Sequence, residues 1–198
     1  FNPFTMFPSC SLAAFSVVGS IGLQGIRLLK PEFGETVLVY GAGLIGLLAI
    51  QMLVRNGCKV IAADIDSSNL EVAKKYGAQT ILTSNTNNFE SQISTLNSIS
   101  VIDAVLITAA AKNDNIIQNS CKVLRKRGRI VLTGVVNLNF DRSWLYEREI
   151  SFQVSSSYGP GRYEHLYENK GLDYPISFVR WTEKRNISAV LEAMESGW

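Results

Sequence analysis

Residues 36–46 read Thr-Val-Leu-Val-Tyr-Gly-Ala-Gly-Leu-Ile-Gly, an apolar run followed by three glycines in a Gly-x-Gly-x-x-Gly pattern. The β-branched run Thr36–Tyr40 predicts a short buried strand. Residues 44–55 follow with a wide apolar face, which predicts a helix. The glycine pattern alone often arises by chance, but its place between a strand and a helix is typical of a dinucleotide-binding turn.

Strand-like and helix-like segments alternate along the rest of the chain. The predicted strands are Thr36–Tyr40, Lys59–Ala63, Thr80–Thr83, Val101–Ile107, Gly128–Val135 and Ile150–Ser155, and the predicted helices are Leu12–Leu29, Leu44–Arg55, Ser67–Tyr76, Asn113–Leu124 and Ile187–Glu195. Ser67 or Ser68 is the expected N-cap of the third helix, and Gly77 is expected to end it. Helical spacing of Phe89, Ile93 and Leu96 predicts one more short helix.

Repeated strand–helix–strand units with continuous apolar strands indicate an α/β fold. Right-handed crossovers then predict a doubly wound, parallel, six-stranded sheet with helices on both faces, which is the Rossmann fold. We expect residues 1–30 to form a lead-in segment and helix, residues 31–156 the nucleotide-binding domain, and residues 157–198 a C-terminal segment that returns toward a missing catalytic domain.

Each residue of the glycine turn has an expected physical role. Gly41 allows a sharp turn out of the strand, Gly43 allows the backbone to approach a pyrophosphate, and Gly46 allows the helix to pack closely on the strand. The N–H groups at the helix start, including those of Leu44 and Ile45, are expected to meet the phosphates.

Asp64 ends the second predicted strand, where a carboxylate accepts hydrogen bonds from the adenosine ribose. A carboxylate there repels a 2′-phosphate, Asp66 adds to the repulsion, and no Lys or Arg follows before Lys74. The sequence therefore favours NAD over NADP. Two alternatives stay open at this point: a tight turn that binds nothing, and a methyltransferase, which also has a glycine-rich turn and an acid at its second strand.

Further strand ends should line the same crevice, because ligands bind at the carboxyl edge of such a sheet. Thr108, Ala109 and Ala110 follow the fourth predicted strand, and Thr133, Gly134 and Val135 end the fifth. Small side chains at these positions leave room for the flat nicotinamide ring and the adenosine. Residues 155–159 follow the sixth strand and are expected to close the nicotinamide end.

Composition excludes several classes of function. Lys plus Arg is 19 and Asp plus Glu is 17, so a net charge of +2 gives no electrostatic case for nucleic acid or an anionic membrane. No apolar stretch is long enough to span a membrane. Cys10, Cys58 and Cys121 form neither a disulfide framework nor metal-ligand spacing, which favours the cytoplasm. With His165 as the single histidine, we expect no zinc site built from this chain alone.

Two segments before the turn, Ala13–Gly25 and Pro31–Gly43, resemble the cofactor domain of the medium-chain dehydrogenase/reductase superfamily, the relatives of zinc-type alcohol dehydrogenases. The tail segments Tyr158–Tyr163 and Tyr174–Asn186 resemble the bi-domain oxidoreductases. In those, a medium-chain dehydrogenase part is fused to a second domain of the glucose–fructose oxidoreductase and inositol dehydrogenase type, often in sugar or surface-polysaccharide metabolism. The resemblance thus implies a missing catalytic domain and a fused second oxidoreductase domain.

The resemblance also implies roles for single residues. It places Ser20 against the nicotinamide, with Gly134 and Val135 nearby. Zinc-dependent members carry a cysteine ligand where this chain has Ser16, which argues against the usual zinc site. The catalytic acid or base is unknown. Tyr158 and His165 are local candidates, although packing and solvent exposure, respectively, are the stronger expectations for them.

Together these features predict an NAD(H)-binding domain of an oxidoreductase that acts on an alcohol or carbonyl, with a sugar or nucleotide sugar as a candidate small-molecule substrate. We do not expect this chain alone to catalyse the reaction. The alternative is a non-catalytic dinucleotide-binding regulatory module. A homodimer is expected through the sixth strand, Ile150–Ser155, if that strand lies at the sheet edge.

Overall fold

The computed structural model describes residues 13–83, 89–96, 101–112 and 115–197. Its helices are α1 (Ser16–Leu29), α2 (Leu44–Arg55), α3 (Ser67–Lys75), α4 (Phe89–Ser94), α5 (Asn115–Val123), α6 (Arg142–Tyr146), α7 (His165–Glu168) and α8 (Glu183–Glu195). Its strands are β1 (Thr36–Tyr40), β2 (Lys59–Asp64), β3 (Gln79–Leu82), β4 (Ile102–Ile107), β5 (Ala110–Ala111), β6 (Leu124–Leu132), β7 (Val135–Val136) and β8 (Ser151–Val154).

The chain divides into two compact units. The sheet unit is Gly25–Ser155, and the terminal unit combines the described residues before Gly25 with residues 156–197. The predicted start of the first helix, Leu12, and that of the fourth, Asn113, lie outside the described residues, as does Cys10.

The sheet unit contains six parallel strands in the order β3-β2-β1-β4-β6-β8. All five residues of β1 are buried. Because successive side chains of a strand point to opposite faces, both faces of the central sheet are covered. Helices α2, α3 and α5 pack on the strands. The predicted doubly wound α/β fold is therefore confirmed, and β8 lies at one edge of the sheet.

Several predicted element bounds were wrong. The fifth strand begins at Leu124 rather than Gly128, because the chain pairs with Ile102 before an irregularity in the register. It ends at Leu132, and Val135 instead belongs to β7, which pairs with β5 in a separate two-stranded ribbon. The last helix begins at Glu183, not Ile187, with Thr182 as its N-cap.

The cap of α3 also differs from the prediction. Asp66, rather than Ser67 or Ser68, is the N-cap, and its carboxylate accepts a hydrogen bond of 2.8 Å from the Ser68 N–H. Ser67 and Ser68 are already helical, whereas Asp66 keeps the extended backbone of an N-cap, with φ of −102° and ψ of 114°, so its carboxylate can accept from the free N–H groups of the first turn. Gly77 follows the helix with φ of 91°, as expected for a residue that ends a helix.

The amino edge of the sheet is held by a charged network. Arg129 on β6 pairs with Glu35, and its Nε donates to the Leu29 carbonyl at the end of α1, 2.8 Å away. Arg125 pairs with Asp103 at 2.7 Å, and Asp103 also accepts from the Thr36 N–H at 2.9 Å. These bonds tie the starts of β1 and β4 to β6.

We expect Arg129→Met to lower the free energy of unfolding by about 2 kcal/mol in urea denaturation, because Glu35 would lose a partner in a site where its side chain is 13% exposed. Arg127→Met is the matched control on the same strand. Its pair with Glu149 is mostly exposed, so no measurable change is expected. Equal losses in the two variants would contradict the structural role of the network.

Candidate cofactor site

A cleft of about 310 Å³ opens at the carboxyl ends of the strands. Six of the predicted site residues line it: Gly41, Gly43, Asp64, Thr108, Ala109 and Ala110. Sequence reasoning missed further lining residues, namely Tyr40, Ala63, Ile65, Asn69, Thr83, Ala111 and Ile116. Thr83 follows the end of β3, so the strand-end argument could have found it, whereas Ile116 enters from α5 without a local signal.

The glycine turn is tight at two of its three glycines. Gly41 has φ of +102°, and a Cβ there would lie 2.5 Å from the Ala109 backbone nitrogen. A Cβ on Gly46 would collide with the carbonyl oxygen of Gly41. At Gly43 a Cβ would meet nothing within 4 Å, so this backbone faces open space. The geometry leaves Gly43 as the point where a ligand can approach the chain.

Helix α2 begins at this open point with unpaired donors. Its N-cap is Gly43, which has no side chain to cap the helix, and the first bond inside the helix runs from the Leu47 N–H to the Gly43 carbonyl at 2.8 Å. The N–H groups of Leu44, Ile45 and Gly46 therefore have no acceptor within the helix. With no acidic residue in the first turn, these donors fit a pyrophosphate.

Asp64 ends β2 beside the turn. Its Oδ2 accepts from the Ala42 N–H at 2.5 Å, and its Oδ1 accepts from the Asp66 N–H at 2.8 Å. Each carboxylate oxygen retains a lone pair, so the group fits a ribose hydroxyl as donor. Hydrogen bonds from the Ser68 hydroxyl and N–H lower the pKa of Asp66, which keeps a second negative charge nearby.

The ends of β4 and β6 close on the turn from the other side. The Thr108 hydroxyl donates to the Gly41 carbonyl at 2.5 Å. A Cβ on Gly134 would collide with the Ala109 carbonyl, so a glycine is required where β6 leaves the sheet. Gly134 and Val135 do not line the cleft, and the Val135 side chain is mostly exposed.

Other predicted residues lie in the terminal unit. Ser20 is fully buried, and its hydroxyl donates to the Ser16 carbonyl at 2.7 Å. Tyr158 is half-buried, with its carbonyl bound by the Asn186 amide at 2.9 Å, and His165 is exposed at the start of α7.

The described residues do not fit a zinc ion. No group of three potential ligands among His, Cys, Asp and Glu occurs in the described part of the chain. Burial raises the pKa of Cys121 to about 11 and also raises that of Cys58, so both thiols are protonated at neutral pH. Zinc binds cysteine as the thiolate, a form that these positions disfavour.

No helix in the described ranges is long and apolar enough to cross a membrane.

The fold and the cleft define a nucleotide-binding α/β domain of the Rossmann type. Residues 45–169 match the zinc-binding dehydrogenase family. Since this match covers more than half of the chain, the chain belongs to that family. The resemblance to zinc-type alcohol dehydrogenases is thereby confirmed.

Individual relatives are also dehydrogenases. The chain is 25% identical over 185 residues to sorbitol dehydrogenase of Bacillus subtilis, and the alignment covers 89% of this chain and 50% of the relative. It is 33% identical over 110 residues to the NADP-dependent isopropanol dehydrogenase of Thermoanaerobacter brockii, covering 55% and 31%.

A solved structure confirms the fold. Alcohol dehydrogenase TADH from Thermus sp. ATN1 superposes with a TM-score of 0.73 at 24% identity, covering 97% of this chain and 50% of that one. The chain thus spans about half the length of sorbitol dehydrogenase and of TADH.

Gly46→Ala is expected to cost about 2 to 3 kcal/mol of unfolding free energy, because the new methyl group must displace the Gly41 carbonyl. Gly43→Ala should cost at most about 1 kcal/mol, since its methyl group meets open space. Urea denaturation measures both. A loss at Gly43 as large as that at Gly46 would show that the turn is not packed as described.

In the terminal unit, Glu183 and Glu168 lie near Arg162. The pKa of Glu183 is raised, first by burial and then by Glu168, with Arg162 opposing. Its Oε2 is buried without a hydrogen-bond partner among the described residues. The pKa of Glu183 is higher in the folded state than in the unfolded state, so the protonated carboxyl group stabilises the fold. This stabilisation is lost as the pH rises through the folded-state pKa.

We therefore expect Glu183→Gln to raise the melting temperature at pH 7 and to have a smaller effect at pH 4, as measured by thermal unfolding. Glu168→Gln is the control: Glu168 pairs with Arg162, so its loss should lower the melting temperature at pH 7. A lower melting temperature for Glu183→Gln at pH 7 would contradict the burial argument.

Proposed function

We propose that the chain is the NAD(H)-binding part of a dehydrogenase acting on an alcohol or carbonyl. The observation that carries this proposal is the arrangement around Gly43. Its open backbone lies in one cleft with the Asp64 carboxylate, and the unpaired N–H groups of α2 begin directly after it. Donors for a pyrophosphate beside an acceptor for a ribose are what an adenine dinucleotide requires.

The residues of this chain would bind and orient the cofactor. Leu44, Ile45 and Gly46 would donate their N–H groups to the pyrophosphate, and Asp64 would accept from the adenosine ribose. When bound, the cofactor would supply a hydride donor or acceptor. The group that polarises the substrate carbonyl is not assigned to any residue of this chain, and Ser20, Gly134 and Val135 remain predictions for the nicotinamide end.

We propose NAD rather than NADP. The Asp64 carboxylate and the charged Asp66 both oppose a 2′-phosphate, and no basic side chain lies between them and Lys74. One similar protein is an NADP-dependent isopropanol dehydrogenase, so similarity alone does not decide between NAD and NADP. The proposal of NAD therefore rests on Asp64 and Asp66.

Isothermal titration tests both proposals. NADH should bind with Kd tighter than about 1 mM, roughly −4 kcal/mol, and NADPH at least about tenfold more weakly. Gly43→Ala should abolish NADH binding while keeping the fold, because its methyl group occupies the phosphate's approach. No binding of NADH to the wild-type chain would refute the cofactor site, and equal binding of NADPH would refute the selectivity. Binding of S-adenosylmethionine instead would favour a methyltransferase.

Further proposals concern the whole protein. We propose that its substrates are sugar alcohols and nucleotide sugars. We also propose that a catalytic domain and a fused second oxidoreductase domain lie outside this chain. Finally, we propose that two copies pair through β8 and that the protein is cytoplasmic. Hydride transfer by the complete protein with these substrates distinguishes an enzyme from a regulatory module, and sedimentation analysis checks the pairing.

A further inference from the structure

Asp64 makes hydrogen bonds that a ribose-binding acid does not require. Its Oδ2 accepts from the N–H of Ala42, which lies inside the glycine turn, at 2.5 Å. Its Oδ1 accepts from the Asp66 N–H at 2.8 Å. Ala42 is fully buried, so its N–H is shielded from bulk solvent. The side chain of Asp64 thus links the end of β2 to the turn that follows β1.

The turn has other supports, but among the described residues none of them provides a charged acceptor. The Gly41 N–H donates to the Ala63 carbonyl at 2.8 Å, and the Gly41 carbonyl accepts from the Thr108 hydroxyl at 2.5 Å. A hydrogen bond to a carboxylate is roughly twice as strong as a neutral one. Of these three bonds, the one from Ala42 to Asp64 is therefore expected to hold the turn most firmly.

Electrostatics alone makes this position a poor one for an acid. Asp64 lines the same cleft as Gly43, so its negative charge repels a pyrophosphate bound at the start of α2. Hydrogen bonds to the ribose hydroxyls offset this charge repulsion only for ligands that carry those hydroxyls. A contact that orders the turn would instead favour the pyrophosphate itself, because Ala42 directly precedes the open backbone at Gly43.

We propose that Asp64 is a positioning residue for the pyrophosphate, acting through the Ala42 N–H, in addition to accepting from the ribose. This inference rests on the proposed dinucleotide site. It predicts that loss of the carboxylate weakens binding even of a ligand without ribose hydroxyls, whereas charge repulsion alone predicts tighter binding of that ligand.

The probe is an NADH analogue whose adenosine ribose lacks both the 2′ and 3′ hydroxyls, titrated beside NADH. In Asp64→Asn, a single carbonyl oxygen remains, so the amide NH₂ must face one of the two backbone N–H groups. We expect the analogue to bind this variant about tenfold more weakly than it binds the wild-type chain.

Asp66→Asn is the matched control, because it removes the same charge nearby, keeps a good N-cap and leaves the Ala42 bond intact. The analogue should bind this variant as well as or slightly better than the wild type. If Asp64→Asn also binds the analogue equally or more tightly, Asp64 acts on the ribose alone and the inference is overturned. If NADH itself does not bind the wild type, the proposed function fails instead.

A measurement on the ligand-free wild type keeps the test valid even if Asp64→Asn does not fold. In NMR spectra the Ala42 amide proton should resonate downfield and exchange slowly with solvent, as a short bond to a carboxylate requires. Rapid exchange of this amide would overturn the inference without any variant. In folded Asp64→Asn, the signal should move upfield and the protection should fall.

Discussion

The carboxyl edge of this sheet depends on three places where the backbone comes too close for any side chain. Gly46 rests against the Gly41 carbonyl, Gly41 against the Ala109 backbone, and Gly134 against the Ala109 carbonyl. These contacts bring the start of α2 up to the end of β1, with its N–H groups unpaired. A larger residue at any of them would push the helix or a strand end outward, and the cleft would lose its donors.

The sequence alone predicts the parts of the fold that repeat or act locally. The apolar runs of β1, β2 and β4 and the helical spacing of α2 and α3 are periodic, so the doubly wound sheet could be predicted from them. The glycine turn was recognisable because its residue types are required by the backbone itself. Asp64, Thr108, Ala109 and Ala110 were predictable because the carboxyl ends of parallel strands meet at one edge of the sheet, and they line one cleft with Gly41 and Gly43.

Features set by distant contacts could not be predicted. The choice of Asp66 over two adjacent serines as the N-cap depends on where the backbone changes from extended to helical after β2, which is directly after Asp66. The ribbon of β5 and β7 joins only two residues on each side, which is too short for a periodic pattern. Asn69 and Ile116 enter the cleft from separate helices. The link from Asp64 to Ala42 likewise needs the paired register of β1 and β2, which places Ala63 beside Tyr40.

The charged network and the cleft lie at opposite ends of the same strands. Glu35 directly precedes β1, and Asp103 lies near the start of β4. Gly41 and Thr108 directly follow the ends of β1 and β4, respectively. Five or six residues of strand span roughly 16 to 20 Å, about twice the distance over which physiological salt screens a charge. Mutations that adapt the domain to heat or salt can therefore accumulate at the amino edge without altering which dinucleotide is selected, so thermal adaptation and cofactor preference can evolve separately.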